Sequence, residues 1–465
     1  MSASAPSAPN GAADENSRRT LDWLLCSLLA AGASVLVALG KDFPEHLKLA
    51  LCINIALSVV GFYATTKLIY GMGEMFVKAG LRGIDLNKYT TKRDGDGRLV
   101  RPIEGIPIPE SQGTITAAVF VLLMSVFLPF AFAFHREAVA TARLLEYLSA
   151  VLTITVAAFL GFADDVLDLK WRQKIHLPFL AAIPLVLVYH VTGKQTGVMV
   201  PNVLRPFLGD HLELGLLFYF FLLSLITCTT HAINIYAGVN GLEVGQSVVI
   251  AVSILILNIV QLHRIPLEFE EYREQHMQSL FHVIPFLGVS LALWRLNWWP
   301  SRVFVGDTYC YFAGMSLATM SIVGHYSKTL VLFLLPQAFN CLYSAPQLFR
   351  RIGIPQPRHR MPAFDPATGF VQNSFTELKP EELPTIGRIV FQVLKTFRLA
   401  KVLPPDADGT VRMSNLTLIN LVLYWGGPCR EDVLCVRLLL LQALSTAFCF
   451  SVRFGLASYV FDVVL

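Results

Sequence analysis

Charge is scarce in this sequence. Only 15% of its 465 residues are Asp, Glu, Lys or Arg and 54% are hydrophobic, where ordinary soluble domains carry about 25% charged residues. With a mean hydropathy of +0.56, that scarcity excludes an ordinary solvated domain and places the chain in a lipid bilayer. No Cys-x-x-Cys spacing occurs among the eight cysteines, Cys26, Cys52, Cys228, Cys310, Cys341, Cys429, Cys435 and Cys449. Most lie in apolar segments, so reduced packing residues are expected in place of a disulfide frame or a zinc site. The net charge is only +4, and no nucleic-acid partner is expected. The first apolar run, Leu21 to Leu39, follows Arg18 and Arg19 and lacks a persuasive small-residue cleavage site. A signal anchor is expected there, preceded by a disordered polar tail.

What the sequence does have is long apolar runs. A bilayer crossing takes roughly 20 mostly apolar residues, and eleven stretches qualify, starting near Leu21, Leu47, Thr114, Leu144, His176, Leu216, Leu242, Leu280, Thr308, Leu330 and Cys435. The expected fold is an all-α polytopic membrane protein of about ten to eleven transmembrane helices with a small mixed α/β cytosolic cap. The expected divisions are a disordered cytosolic tail (1–19), an extra N-terminal span (20–40), a transmembrane catalytic core (41–348), a cytosolic substrate-binding segment (349–430) and a C-terminal span (431–465). With the N-terminus in the cytosol, the loops returning there hold most of the bases, among them Lys78, Arg82, Lys88, Lys92, Arg93, Lys170, Arg172, Lys174, Arg295 and Arg302. The opposite loops hold few, which is the positive-inside pattern. In the cap, Asp365-Pro-Ala-Thr-Gly and the residues after it predict a short hairpin, and Ile386 to Ala400 has helical spacing. Asn415-Leu416-Thr417 is a glycosylation sequon on the cytosolic side, so it is expected to be unmodified.

Five unusual polar stretches fall at cytosolic span ends by the same parity: SQG, FADDVLD, NIYAGVNG, FVGDTYC and PRHRMP. One site is expected where they meet. Asp164 and Asp165 close an apolar helix and are followed by Asp168, Lys170, Arg172 and Lys174, a grouping suited to metal and phosphate; interfacial charges on an ordinary helix end are the alternative. Asn234, Gly238, Asn240 and Gly241 combine amide ligands with bared backbone, or else mark a glycine-kinked helix. Asp307, after Phe304-Val305-Gly306, is either a helix cap or a carboxylate ligand. Magnesium commonly takes one or two protein oxygens, so Asn234 with Asp307 would suffice. Arg358-His359-Arg360 offers two guanidinium forks for a pyrophosphate, or a basic loop near anionic lipid. Leu86, Asn87 and Glu110 are weaker candidates for contacts from the side.

Taken together, GIDLNK, IPESQG, GFADDVLDLKWRQK, NIYAGVNGLEVGQS, PSRVFVGDTYCYFAGM, PRHRMP and LTLINL resemble the eukaryotic dolichyl-phosphate N-acetylglucosamine-1-phosphotransferases. These belong to the broader polyprenyl-phosphate hexose-1-phosphate transferases. The resemblance implies transfer of N-acetylglucosamine-1-phosphate from UDP-N-acetylglucosamine to dolichyl phosphate on the cytosolic face of the endoplasmic reticulum membrane, with Mg2+ as cofactor and Mn2+ as its alternative. It implies Asn234 and Asp307 as metal ligands, Phe304 stacked on uracil, and Gly238 and Asn240 at the uridine, with Leu86 and Glu110 beside the nucleotide. Arg358 would contact pyrophosphate, His359 and Arg360 the amino-sugar, and Lys174 the phosphates. Asp164 is expected to act as general base or to position the nucleophile, with Asp165 supporting the metal network. A homodimer is expected by analogy alone. His231 and Asp168 depart from the family's usual Asn, and residues 89–104 insert extra charge. An undecaprenyl-phosphate transferase and, from another class, a nucleotide-sugar transporter remain the alternatives.

Overall fold

A computed structural model describes residues 19, 45–88, 91–92, 103–132, 137–349, 353–356 and 361–461. Its helices are α1 (Glu45–Lys78), α2 (Gly113–Phe132), α3 (Glu137–Leu167), α4 (Leu177–Val191), α5 (Leu216–Ile235), α6 (Leu242–Arg264), α7 (Glu270–Asn297), α8 (Gly306–Val323), α9 (Ser327–Phe333), α10 (Leu335–Leu348), α11 (Thr385–Thr396), α12 (Leu418–Gly426) and α13 (Glu431–Ser451). Among the described residues, eight helices are long and apolar enough to cross a membrane, or nine if the bent pair α9 and α10 is one span. The run starting at Leu21 lies outside the described residues.

Helix α8 is not among those eight because it is insufficiently apolar, and packing explains why it need not be. Every residue from Thr308 to Val323 is buried, with α2, α3, α5, α6 and α7 packed around it. A helix that meets only protein needs no lipid-facing stripe, so Ser316, Thr319 and Ser321 are tolerated inside. The outer helices instead turn Leu122, Leu152, Leu187, Phe220 and Leu444 outward, more than half exposed except Leu152 at 50%. That apolar periphery is the surface a bilayer would cover.

The span expected from Leu330 is broken, not continuous. Helices α9 and α10 meet at 62°, where Pro336 opens α10 and withdraws a backbone donor. The break is satisfied from a neighbouring helix. Gln442 Nε2 donates to the Phe333 carbonyl at 2.8 Å, while Gln337 Nε2 donates to Gln442 Oε1 at 2.7 Å and to Gln246 Oε1 at 2.8 Å.

Short strands decorate both ends of the bundle. Near the site, β1 (Arg82–Ile84) pairs antiparallel with β2 (Pro107–Pro109); at the far end of α4 and the start of α5, β3 (Gly197–Met199) pairs with β4 (His211–Glu213). The cap begins with the expected hairpin, β5 (Ala363–Asp365) and β6 (Phe370–Gln372). The next stretch, β7 (Phe375–Leu378), pairs with the distant β8 (Val411–Ser414). Helix α12 joins the cap to the bundle by packing on α10 and α13. Asn415 is buried, and its Nδ2 donates to Ser374 Oγ at 2.8 Å.

Candidate active site

The site starts from a close helix crossing. Gly161 in α3 lies so near Thr308 in α8 that a Cβ would stand 2.8 Å from the Thr308 Cα. This contact brings the acidic last turn of α3 onto the first turn of α8, whose unpaired N–H groups attract an anion. Asp165 supplies it. Its Oδ1 accepts from the Asp307 N–H at 2.6 Å, and its Oδ2 accepts from the Thr308 N–H at 3.2 Å and from Thr308 Oγ1 at 2.6 Å. Gly306 makes room: its φ is +73°, and a Cβ there would fall 2.3 Å from Asp165 Oδ2. The role of cap, one reading of Asp307 from sequence, therefore belongs to Asp165, and the Asp307 side chain is released for other contacts.

Those contacts run to a lysine and an amide. Lys174, on the helical turn Trp171–Lys174, places Nζ 2.9 Å from Asp164 Oδ1 and 2.7 Å from Asp307 Oδ2. Asn234 Nδ2, at the end of α5, donates to Asp307 Oδ1 at 2.8 Å. Asp164 is fully buried, and it also accepts from the Leu169 N–H at 3.2 Å and from the Tyr311 hydroxyl at 3.4 Å. His231 stands against Trp171 and Tyr311, at ring-centroid separations of 5.8 and 6.2 Å. Asp168 does not join the cluster. It is exposed, with φ of +46°, and ends α3 in the left-handed conformation that Asn and Asp tolerate.

The segment around β2 completes the wall. Phe304 N–H donates to the Pro109 carbonyl at 2.8 Å, Gln112 N–H to the Phe304 carbonyl at 3.2 Å, and Gly113 N–H to the Val305 carbonyl at 2.9 Å. These bonds thread Ser111-Gln112-Gly113 along Phe304-Val305-Gly306. Glu110 consequently faces the aspartates. Burial, then the neighbouring Asp165 and Asp307 carboxylates, raises its carboxyl pKa above the ordinary glutamate value. The Phe304 ring lies against Gly83 of β1, where a Cβ would come within 2.8 Å of it. Leu86 follows that strand, half-buried.

The loop after α5 carries Gly238 and Asn240 to the same end. Gly238 has φ of +111° and donates its N–H to Glu243 Oε1 at 3.0 Å; Met361 of the cap lies against it. Asn240 is held by Asp85 and Glu431, neither of which was singled out from sequence. Asp85 sits inside the GIDLNK stretch, but Glu431 looks like a routine acid in the first turn of a helix. Of the five polar stretches, four meet here and the fifth, PRHRMP, reaches the site through Met361. Arg358, His359 and Arg360 lie outside the described residues.

The donors fit a hard cation. Four carboxyl groups, Glu110, Asp164, Asp165 and Asp307, neighbour one another, Lys174 pairs with two of them, Asp164 and Asp307, and turning the Asn234 amide would offer its oxygen beside Asp307. Among the described residues, no three His, Cys, Asp or Glu side chains form a metal cage. Magnesium, which keeps waters and substrate phosphates as ligands, does not need one.

The chain is similar to known proteins over most of its length. The model of glycosyl transferase family 4 matches residues 147–325. A Saccharomyces cerevisiae UDP-N-acetylglucosamine–dolichyl-phosphate N-acetylglucosaminephosphotransferase is 40% identical over 416 residues, covering 84% of this chain and 89% of the relative. The Schizosaccharomyces pombe protein of the same name is 38% identical over 455 residues, covering 93% and 96%. That of Dictyostelium discoideum is 40% identical over 404 residues, covering 84% and 86%. With identity of this size over nearly the whole length of each relative, the chain belongs to the UDP-N-acetylglucosamine–dolichyl-phosphate N-acetylglucosaminephosphotransferase family.

Proposed function

We propose that this chain transfers N-acetylglucosamine-1-phosphate from UDP-N-acetylglucosamine to dolichyl phosphate, giving N-acetylglucosaminyl-diphosphodolichol and UMP. The family membership supports the substrates. The observation that carries the chemistry is Lys174 held between Asp164 and Asp307, a fixed positive charge that can meet the phosphates.

The acceptor phosphate is already largely ionised near neutrality, since a phosphate monoester has a second pKa of about 6. It needs little deprotonation. One of its oxygens attacks the β-phosphorus, a P–O bond forms, and the bond to the bridging oxygen breaks with its electron pair leaving on UMP. The main obstacle is anion meeting anion. Asp164 is engaged by Lys174 and the Leu169 N–H, so its work is to aim Lys174 at the phosphates, and a single displacement with inversion at phosphorus is the path favoured. Magnesium, held by Asn234 and Asp307, would supply charge neutralisation of the pyrophosphate. Uridine would lie between Phe304 and the Gly238–Asn240 loop, with Leu86 and Glu110 at its side. Arg358, His359 and Arg360 are assigned to the pyrophosphate and amino-sugar on the resemblance alone. The distribution of bases supports a site on the cytosolic face, and the endoplasmic reticulum membrane is assigned on the resemblance alone.

The test is release of UMP from UDP-N-acetylglucosamine by purified protein, with and without dolichyl phosphate and magnesium, alongside Asp307→Ala. Release that needs lipid and metal and disappears in the variant is expected. Folded protein that releases no UMP under any of these conditions would overturn the reading.

A further inference from the structure

Asn240 has both of its amide hydrogens committed. Its Nδ2 donates to Asp85 Oδ2 at 2.8 Å and to Glu431 Oε2 at 3.3 Å, and its backbone N–H donates to Glu431 Oε1 at 2.8 Å. All three residues are buried, with relative exposures of 8% for Asn240, 6% for Asp85 and 3% for Glu431. Carboxyl oxygens on both sides fix which way the amide points, because a flip would set its carbonyl oxygen against them. The carbonyl oxygen is thereby turned away, and no described residue donates a hydrogen bond to it. The same two carboxyl groups order the opposite wall. Asp85 Oδ1 accepts from the Asn87 N–H at 3.0 Å, and Glu431 Oε1 accepts from Asn87 Nδ2 at 3.3 Å. Leu86, between Asp85 and Asn87, is set by these bonds. Lys88 Nζ stands 3.6 Å from Asp85 Oδ2, which keeps that carboxylate in place.

We propose that Asp85 and Glu431 are positioning residues for base selectivity: by taking both amide hydrogens of Asn240 they present its carbonyl oxygen as an acceptor to the nucleobase. This rests on the reading of the loop as a uridine site. Uracil carries an N–H at ring position 3 and can donate to that oxygen. Cytosine carries a bare nitrogen there, an acceptor that would face another acceptor. A buried polar group left unpaired costs more than a formed bond contributes, and sites built to pair a specific N–H reject analogues lacking it. Replacing both carboxyl groups by amides frees Asn240 to flip, since each introduced amide could donate as well as accept.

The experiment is isothermal titration of UDP and of CDP into the full chain in detergent with magnesium, for the wild type, the Asp85→Asn/Glu431→Gln pair and Asn240→Ala. The wild type is expected to prefer UDP by on the order of 10²-fold, the upper end of what one unpaired polar group costs. The double variant is expected to lose at least about tenfold of that preference, mainly through weaker UDP binding. Asn240→Ala, which leaves both carboxyl groups untouched, is expected to lose it as well, and keeps the idea testable if the double variant unfolds. Equal weakening of both nucleotides in the double variant, or full discrimination retained by Asn240→Ala, would overturn the proposal. Equal binding of UDP and CDP by the wild type would also overturn it while leaving the transferase reading intact. A wild type that binds neither nucleotide would overturn the reading beneath it.

Discussion

Replacing Asp165 by Asn tests whether the site is assembled by its seat on the first turn of α8. The shape is kept, but the charge is lost and one acceptor oxygen becomes an NH2 facing donors. Asp165 accepts three hydrogen bonds, from the Asp307 and Thr308 N–H groups and the Thr308 hydroxyl. Hydrogen bonds to a charged group contribute about 1.5–3 kcal/mol each, and the anion at a helix N-terminus adds about 0.3–2 kcal/mol. Asn retains one good acceptor, so the loss is roughly 3–5 kcal/mol. A tenfold rate change corresponds to about 1.36 kcal/mol. If only the lower figure appears as misplacement of Asp307, kcat/KM for UMP release falls on the order of 10²-fold. Thermal unfolding in the same detergent is expected to drop, whereas Asp307→Asn, which removes no helix cap and leaves Lys174 paired with Asp164, lowers it less while activity is lost. An Asp165→Asn enzyme within about threefold of wild type in kcat/KM, with the same unfolding temperature, would refute the assignment of Asp165 as the seat of α8.

Gly306→Ala places a Cβ 2.3 Å from Asp165 Oδ2 at a φ of +73°; left-handed backbone alone costs about 1–2 kcal/mol, so unfolding temperature and UMP release should both fall, and unaltered activity would contradict the packing. Lys174→Met leaves the buried Asp164 without its ammonium, and breaking a buried pair costs about 3–5 kcal/mol; the Asp164→Asn/Lys174→Met double variant should recover stability in thermal unfolding without recovering turnover. The raised Glu110 carboxyl favours the fold most when protonated, so its contribution is present below the ordinary glutamate pKa and lost as pH rises through the raised value. Glu110→Gln should therefore be the more stable protein near neutrality in the absence of added cation, with the difference vanishing in acid; a pH-independent difference would sink that account.

Much of the architecture was legible because partition into a bilayer depends on local composition. Apolar windows located the described spans, though the helix expected from Leu280 begins ten residues earlier, at Glu270, and parity along the chain sent the polar stretches to one place before any contact was known. The hairpin at Asp365 and the helix after Pro384 were likewise local, written in turn residues and apolar spacing. Motif resemblance named Asp307, Asn234, Lys174 and Asn240. It left open what holds each of them.

That part was decided by closure of the bundle. Helix α8 could be recognised as the buried centre only when its neighbours were packed round it, and whether Asp307 or Asp165 capped it depended on how closely Gly161 lets α3 approach. The break between α9 and α10 is stabilised by Gln442 from another helix. Asn240 meets Asp85 and Glu431 across sequence separations of 155 and 191 residues, which no window or spacing spans. Hydrophobic burial adds up residue by residue and can be read along a chain. Buried polar groups are satisfied in specific pairs, and the partner is known only once the chain has folded.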